Sequence, residues 1–269
     1  MKHLFEDWES IQARIQQARD LVLFLDYDGT LTPIVTQPEL ALCPPEVKRH
    51  LDQLRDLPSV YLTIISGRSL EDLRNKVGVS HIIYIGNYGL EIEYPDGRHK
   101  NKVSSTRVGE LKRITRNLQN SLKEIPGILF EEKGPILSVH YRNVDQKVRP
   151  RISQVLAEEI QQWRDHWKMA PGKMALEIRP KVDFDKGKAV REILRTFPRL
   201  GFLPIYLGDD QTDEEAFRVL KGQGISVVVG PGSLPSEANF FLRSPDEVCE
   251  FLFKCLVVRR GGGHGPNSS

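Results

Sequence analysis

Four segments of this 269-residue chain carry side chains of the types that phosphoryl transfer requires. Asp26 and Asp28 lie two positions apart, and Ser66 and Lys186 stand in two later segments. The fourth segment contributes Asp209, Asp210 and Asp213. An aspartate can attack phosphorus and divide the hydrolysis of a phosphate monoester into two steps through an aspartyl-phosphate. The set therefore contains a candidate nucleophile for that reaction.

The other groups of the set could counter negative charge. Clustered carboxylates suit Mg²⁺, which binds few protein oxygens together with water and phosphate oxygens. A lysine and a hydroxyl can neutralise charge on the transferring group. Taken singly, Ser66 and the pair 209–210 could cap helices, and Lys186 could be a solvated lysine at a helix start. Their occurrence together and in this order favours the chemical interpretation.

Apolar runs that end in polar turns indicate where these segments lie in the fold. The runs cover 21–25, 60–65, 82–85, 205–207 and 225–229. Each is short and continuous, as in parallel strands covered on both faces, and each ends in a glycine or polar turn. Because helical stretches alternate with the runs, the sequence predicts an open α/β sheet with a parallel core. Its strand ends would carry the site. A helix is expected over 3–19, where apolar residues recur at helical spacing.

The stretch 104–181 follows a different pattern. Two helical patterns, each followed by alternating strands, give the order αββαββ and predict a small antiparallel sheet with helices on one side. The first helix is marked by Val108, Leu111, Ile114, Leu118 and Leu122. The second is marked by Ile152, Leu156, Ile160, Trp163 and Trp167.

Alternation within these strands assigns side chains to the two faces of the small sheet. The apolar face must meet the helices. The other face carries Glu131, Lys133, His140, Arg142, Lys173, Glu177 and Arg179. Such a face is rich in hydrogen-bonding groups and suits a polyhydroxylated ligand. The alternative is a solvated sheet face, which is common in antiparallel sheets.

Composition excludes several other classes of protein. The 38 basic and 36 acidic residues are spread without blocks, so neither nucleic acid nor an acidic membrane is expected as a partner. Three cysteines without a CxxC pair fit neither a disulfide framework nor a zinc site. No run approaches the roughly 18 apolar residues of a membrane span, and the first residues turn acidic where a secretory leader would be apolar. We expect a cytoplasmic protein with a flexible tail over 261–269.

The motifs resemble those of the haloacid dehalogenase superfamily and, more narrowly, those of trehalose-6-phosphate phosphatases. The four motifs are LDYDGTLTPI at 25–34, TIISGRS at 63–69, DKGKAV at 185–190 and YLGDDQTDEEAF at 206–217. The narrower resemblance rests on GDDQTDE, GNYGLE at 86–91, EEKGPILSVHYR at 131–142 and LEIRP at 176–180. It implies a Rossmann-like parallel-sheet core, 1–103 with 182–260, and an inserted α+β cap, 104–181, that determines substrate specificity.

The resemblance also implies roles for single residues. It makes Asp26 the nucleophile, Asp28 the general acid and then the base that activates water, and Ser66 and Lys186 the phosphate clamp. Mg²⁺ would be held by Asp26, the backbone carbonyl of Asp28 and Asp209, with Asp210 and Asp213 orienting its water ligands and Lys186. The residues expected to bind the sugar are Asn87, Glu131, Lys133, His140, Arg142, Lys173, Glu177 and Arg179. Tyr88 departs from the pattern, since many relatives have a histidine there.

The implied reaction is hydrolysis of trehalose 6-phosphate to trehalose and phosphate, the last step of trehalose biosynthesis. The chain is expected to act as a monomer and to depend on a separate synthase for its substrate, because no glycosyltransferase domain is attached. Three alternatives stay open. The first is another sugar-phosphate phosphatase, for sucrose 6-phosphate or a glucosyl- or mannosyl-3-phosphoglycerate. The others are a non-catalytic trehalose 6-phosphate sensor and a phosphomutase.

Overall fold

The computed structural model describes residues 1–35, 37–172, 174–197, 201–232 and 235–261, and it divides into two units. The first unit consists of Met1–Lys100 and the chain from Asp185 onward, and the second of Asn101–Phe184. The described residues contain no helix that is both long and apolar enough to cross a membrane. Of the sequence predictions, Lys173 and the tail 262–269 lie outside these residues, whereas Gly261 ends a helix.

The elements follow one another along the chain as follows. The strands are β1 (Lys2–His3), β2 (Asp20–Asp26), β3 (Val60–Ile65), β4 (Ile83–Gly86), β5 (Glu91–Glu93), β6 (His99–Asn101), β7 (Leu129–Glu132), β8 (Leu137–His140), β9 (Trp167–Gly172), β10 (Ala175–Pro180), β11 (Phe202–Gly208), β12 (Ile225–Val229) and β13 (Phe240–Leu242). The helices are α1 (Trp8–Gln17), α2 (Pro45–Arg55), α3 (Leu70–Val77), α4 (Ser105–Leu122), α5 (Arg149–Gln161), α6 (Lys186–Leu194), α7 (Glu214–Leu220) and α8 (Pro245–Gly261). Short 3₁₀ turns cover Leu4–Asp7, Pro38–Leu40, Asn87–Gly89 and Gln211–Asp213.

The sheet of the first unit has the order β1-β13-β12-β11-β2-β3-β4-β5-β6. Pairing is parallel from β1 through β4 and antiparallel between β4 and β5. Strand β2 lies at the centre and every one of its residues is buried, as its continuous apolar sequence requires. The predicted α/β fold with a parallel sheet is confirmed. Because these strands are parallel neighbours, the carboxyl ends of β2, β3, β4 and β11 lie next to one another at one edge of the sheet.

The amino-terminal segment differs from the helix predicted over 3–19. Lys2 and His3 instead form β1, which pairs in parallel with Phe240 and Phe241 of β13. The His3 ring is buried, and its Nε2 lies 2.7 Å from a carboxylate oxygen of Glu247. Leu4–Asp7 then form a 3₁₀ turn, and the α-helix begins only at Trp8.

The second unit has the order αββαββ. Strands β7, β8, β10 and β9 form an antiparallel sheet in that spatial order. Apolar side chains of both helices pack with one face of the sheet in a single cluster, which includes Leu111, Ile114, Leu118, Leu137, Val139, Ile152, Leu156, Ile160, Trp167 and Ile178. The other sheet face is left to the polar side chains of these strands.

The prediction that Trp163 and Trp167 continue the second helix is wrong. Helix α5 ends at Gln161, Trp163 lies in the following turn, and Trp167 is the first residue of β9. The N–H of Trp163 donates to the carbonyl of Ile160, and the N–H of Trp167 donates to that of Trp163. These turn hydrogen bonds preserve a spacing of three to four residues after the helix has ended, which explains why the pattern resembled a longer helix.

Trp167 should be the larger contributor to stability of the two tryptophans. It is fully buried and its Nε1 donates to Glu110 at 2.9 Å, whereas Trp163 is half-buried. We expect Trp167→Ala to lower the free energy of unfolding by about 3–5 kcal/mol, through lost burial and the cavity left behind. Trp163→Ala serves as the matched control and should cost clearly less. Hydrogen exchange of amides in β9 and β10 at increasing urea would measure the free energy of unfolding of both variants. Equal losses would contradict the larger contribution of Trp167.

Candidate active site

A buried lysine between two aspartates forms the centre of the site. Lys186 is the first residue of α6, and its Nζ donates to Oδ1 of Asp26 at 2.7 Å and to Oδ1 of Asp213 at 2.8 Å. All three side chains are almost completely excluded from solvent. Burial alone would lower the pKa of Lys186, but the charges of Asp213 and Asp26 raise it well above its ordinary value. The lysine is therefore a fixed positive charge.

Asp213 organises the loop that follows β11. Its Oδ1 accepts from Lys186 and, at 2.5 Å, from the hydroxyl of Tyr206, while its Oδ2 accepts from the backbone N–H groups of Asp209 and Asp210 at 3.1 Å each. Asp210 in turn caps the next turn through Thr212. The carboxylate of Asp213 thus holds both the lysine and the backbone that presents Asp209.

Three carboxylates converge beside the lysine. Asp26, Asp209 and Asp213 each offer one oxygen, and these oxygens lie within 4.8 Å of one another. Burial raises the pKa of Asp209 to about 7, with the negative charges of Asp210 and Asp213 adding to the effect. Burial also raises the pKa of Asp26 well above its usual range, and the charge of Lys186 offsets this only in part. The negative charges of three carboxylates beside one ammonium group oppose one another, and this repulsion adds to burial in raising these pKa values.

The turn after Asp28 approaches this cluster closely. Gly29 has a φ of +95°, and a Cβ placed there would lie 1.9 Å from Oδ2 of Asp209. Only glycine fits, because the left-handed backbone and the missing Cβ are both required. The donor set consists of hard carboxylate oxygens whose mutual repulsion a cation would relieve, so the residues fit a small divalent cation such as Mg²⁺.

Asp28 lies at the same edge but in a different environment. Its two carboxylate oxygens accept from Arg68, Oδ1 from Nη2 at 2.6 Å and Oδ2 from Nε at 2.7 Å. The third nitrogen of the guanidinium, Nη1, donates to Asp72 at 2.7 Å. The sequence motifs assigned no role to Arg68 or Asp72, although Arg68 lies within TIISGRS and Asp72 lies in the first turn of α3, which Ser69 caps.

Ser66 is buried at the end of β3, next to a strained turn at the end of β4. Its Oγ accepts from the backbone N–H of Arg68 at 3.2 Å, and its carbonyl accepts from the N–H of Tyr88 at 3.0 Å. Asn87 and Tyr88 have φ values of 51° and 59°, which non-glycine residues seldom adopt. The Asn87 amide donates to Glu91 at 2.5 Å. The Tyr88 ring occupies the space that a side chain at Gly67 would fill.

In the second unit, most of the predicted sugar-binding residues form one ionic cluster on the polar sheet face. Glu131 and Glu177 both lie opposite Ser138 in register. Glu131 is 2.7 Å from His140 and 3.4 Å from Lys133. Burial would raise the pKa of Glu131, but the His140 hydrogen bond and the Lys133 charge hold it below its usual value.

Glu177 is the buried member of this cluster. Its Oε1 accepts from Ser138 at 3.2 Å and lies 3.7 Å from Lys133, and its Oε2 accepts from Arg179 at 2.6 Å. Arg142 follows β8 in an exposed turn instead of extending the strand as predicted. Lys173 lies outside the described residues. The structure therefore brings together Glu131, Lys133, His140, Glu177 and Arg179.

Comparisons with known proteins agree with the motifs. The family model for trehalose-phosphatase matches residues 24–246. Trehalose-phosphate phosphatase B of Arabidopsis thaliana is 34% identical over 262 residues, which cover 91% of this chain and 68% of that protein. Trehalose-phosphate phosphatase of Mycobacterium tuberculosis strain H37Rv is 36% identical over 242 residues, covering 87% and 61%. The solved C-terminal domain of trehalose-6-phosphate phosphatase from C. albicans has a TM-score of 0.75 at 25% identity, covering 93% of this chain and 96% of that one.

Removal of the lysine charge should destabilise the first unit. In Lys186→Met, Asp26 and Asp213 would stay buried without their cation, and we expect the free energy of unfolding to fall by about 3–5 kcal/mol at pH 7. The deficit should shrink towards acidic pH, because buried carboxylates with raised pKa values take up protons in the folded variant. Lys188→Met, on the same helix but half-exposed and 3.7 Å from Asp185, is the control. Urea unfolding at several pH values would test this; a deficit that grows in acid would contradict it.

Proposed function

The chain belongs to the trehalose-phosphatase family, and from this premise we propose that it hydrolyses trehalose 6-phosphate with Asp26 as the nucleophile. The observation that carries the proposal is the buried contact between Lys186 and Asp26, with Asp28 two residues further at the same strand end. Lys186 binds Oδ1 of Asp26, and in the described part of the chain Oδ2 accepts no hydrogen bond. Oδ2 is therefore the oxygen available for attack.

In the first half of the reaction, Oδ2 of Asp26 attacks phosphorus. The bond from phosphorus to the sugar oxygen breaks, and Asp28 gives its proton to that oxygen. Protonation matters because a sugar alkoxide is a poor leaving group. Ser66 and Lys186 bind the transferring phosphoryl group and neutralise its charge. The products of this half are trehalose and an aspartyl-phosphate.

In the second half, water attacks the phosphorus of the aspartyl-phosphate. Asp28, now a carboxylate, takes the proton of that water, and the bond from phosphorus to Asp26 breaks. This step releases phosphate and restores Asp26 as a carboxylate and Asp28 as an acid. One aspartate thus serves both halves in opposite protonation states.

Mg²⁺ is the proposed cofactor. Asp26, Asp209 and the backbone carbonyl of Asp28 would hold it, and Asp210 and Asp213 would stay behind these ligands. When bound, the ion would reduce the repulsion between an anionic nucleophile and an anionic substrate. The four hydrogen bonds that Asp213 accepts support its place behind the ligands, since they occupy both of its oxygens.

We further propose that the unit formed by 101–184 determines specificity. The polar face with Glu131, Lys133, His140, Glu177 and Arg179 offers donors and acceptors that ion pairs already hold in place, which limits the entropy lost when a disaccharide binds. Asn87, Arg142 and Lys173 remain predicted sugar-binding residues. Action as a monomer and supply of substrate by a separate synthase also remain predictions.

Asp26→Asn should abolish turnover while preserving the fold, because the amide matches the carboxylate in size but is not a nucleophile. We expect phosphate release to fall by at least about a thousand-fold for every ester tested. The panel is trehalose 6-phosphate, sucrose 6-phosphate, glucose 6-phosphate and glucosyl-3-phosphoglycerate, each with Mg²⁺ and with chelator. If the unmodified protein hydrolyses another ester of the panel faster, that ester replaces trehalose 6-phosphate as the proposed substrate. Tight binding of trehalose 6-phosphate without turnover would support a sensor.

Glu131→Ala should separate sugar binding from phosphoryl transfer. We expect kcat/KM for trehalose 6-phosphate to fall by about 10- to 100-fold, since a charged hydrogen-bonding partner of the sugar is lost. Hydrolysis of p-nitrophenyl phosphate should change little, because its leaving group is activated and lacks the sugar. Glu132→Ala is the matched control, a neighbouring carboxylate whose strand position points to the other face. Equal losses on both substrates would count against a sugar-binding role.

A further inference from the structure

We propose that Arg68 is a positioning residue that holds the carboxyl group of Asp28 in the orientation from which Asp28 exchanges a proton with the leaving group, through a lone pair that the two hydrogen bonds from Arg68 leave uncovered. The inference rests on the proposed function, because it adds a residue to the same site. Arg68 would not touch the substrate. It would act through the geometry of Asp28.

The contact between the two side chains is bidentate. Nη2 of Arg68 donates to Oδ1 of Asp28 at 2.6 Å, and Nε donates to Oδ2 at 2.7 Å. Two parallel hydrogen bonds from a planar fork fix both the position and the rotation of a carboxylate, which a single bond does not. Among the residues that the structure describes, Arg68 is the one hydrogen-bonding partner of the Asp28 side chain.

Arg68 is itself held from several directions. Nη1 donates to Asp72 on α3 at 2.7 Å, and the guanidinium carbon lies 5.5 Å from the centre of the Tyr27 ring. The backbone N–H of Arg68 donates to Ser66, and its carbonyl accepts from the N–H of Asn87 at 2.7 Å. The Arg68 side chain is 11% exposed, against 39% for Asp28. Arg68 is therefore fixed by its own contacts, and it in turn orients the more exposed side chain of Asp28.

Asp26 and Asp28 are therefore held in place by different side chains. Asp26 is buried on the last residue of β2 and bound by Lys186. Asp28 lies beyond the strand, where without Arg68 its side chain would rotate among staggered conformers and exchange its contacts for water. A proton donor must lie within hydrogen-bonding reach of the departing oxygen, so this freedom would slow the step.

The directions of the guanidinium donors argue against the simpler role of a phosphate clamp. Nε, Nη1 and Nη2 all donate to carboxylates of the protein. A phosphate clamp would affect all phosphate esters alike, since every ester presents the same group. A positioning role for the general acid predicts losses that depend on the leaving group.

The experiment compares Arg68→Ala and Arg68→Lys with the unmodified protein on three substrates with increasingly poor leaving groups. These are p-nitrophenyl phosphate, phenyl phosphate and trehalose 6-phosphate, with Mg²⁺. For Arg68→Ala we expect kcat/KM, which reports the steps up to formation of the aspartyl-phosphate, to fall about 10- to 100-fold on trehalose 6-phosphate, less on phenyl phosphate, and within about 3-fold on p-nitrophenyl phosphate. Arg68→Lys should show the same order of losses, because an ammonium group cannot form the fork.

Two controls isolate the effect. Asp72→Asn leaves the fork to Asp28 intact but weakens its anchor, and it should give smaller losses in the same order. Arg98→Ala removes an arginine that also binds a carboxylate, Asp96, at 2.6 Å and lies over a tyrosine ring, but on an exposed hairpin. It should change none of the rates. Thermal unfolding of each variant shows whether the fold is kept; Arg68→Lys retains the charge and serves if the alanine variant does not fold.

The outcomes decide between the roles. Equal losses of kcat/KM on the three substrates would overturn the proposal in favour of a phosphate clamp, and an unchanged kcat/KM on trehalose 6-phosphate would overturn it altogether. If the unmodified protein does not hydrolyse trehalose 6-phosphate, the proposed function fails. The two aryl phosphates would then still test Arg68, because their leaving groups differ in basicity without any sugar.

Discussion

The ammonium group of Lys186, buried between Asp26 and Asp213, is the interaction on which the rest of the site depends. A buried charge is tolerated only with partners, and here each partner has a further task. Asp26 ends the central strand, and Asp213 fixes the loop after β11 through Tyr206 and two backbone N–H groups. One positive charge therefore joins the start of α6, the end of β2 and the loop after β11.

The parallel sheet makes this arrangement possible. Strands β11, β2, β3 and β4 are consecutive neighbours, so residues far apart in sequence meet at their carboxyl ends. Asp26 and Lys186 are 160 positions apart, yet their side chains are in hydrogen-bond contact. The strained pair Asn87 and Tyr88 serves the same edge, because its backbone binds the segment that carries Ser66 and Arg68. A strained backbone of this kind persists only where the surrounding contacts hold it in place.

Much of the architecture was predictable because continuous apolar runs mark buried strands. Strands β3 and β12 have the predicted bounds, and the αββαββ order follows from periodicity. Strands β1, β5, β6 and β13 were missed, since strands of two or three residues carry no detectable period. The helix over Trp163 and Trp167 was wrong because hydrogen-bonded turns preserve helical spacing. The fork between Arg68 and Asp28 depends on side-chain direction across 40 positions, which no local pattern contains.

The hydrogen bonds of Asp213 have a kinetic consequence for metal binding. Because the backbone of Asp209 is already fixed by a buried side chain, the proposed ligands face one another before any ion arrives. Little chain ordering should accompany binding, and its heat capacity change should be small, since no large apolar surface is buried in the process. The slow event would be the loss of water from the ion, which Mg²⁺ releases reluctantly. The rate at which the site fills would then follow the chemistry of the ion more than the motion of the protein.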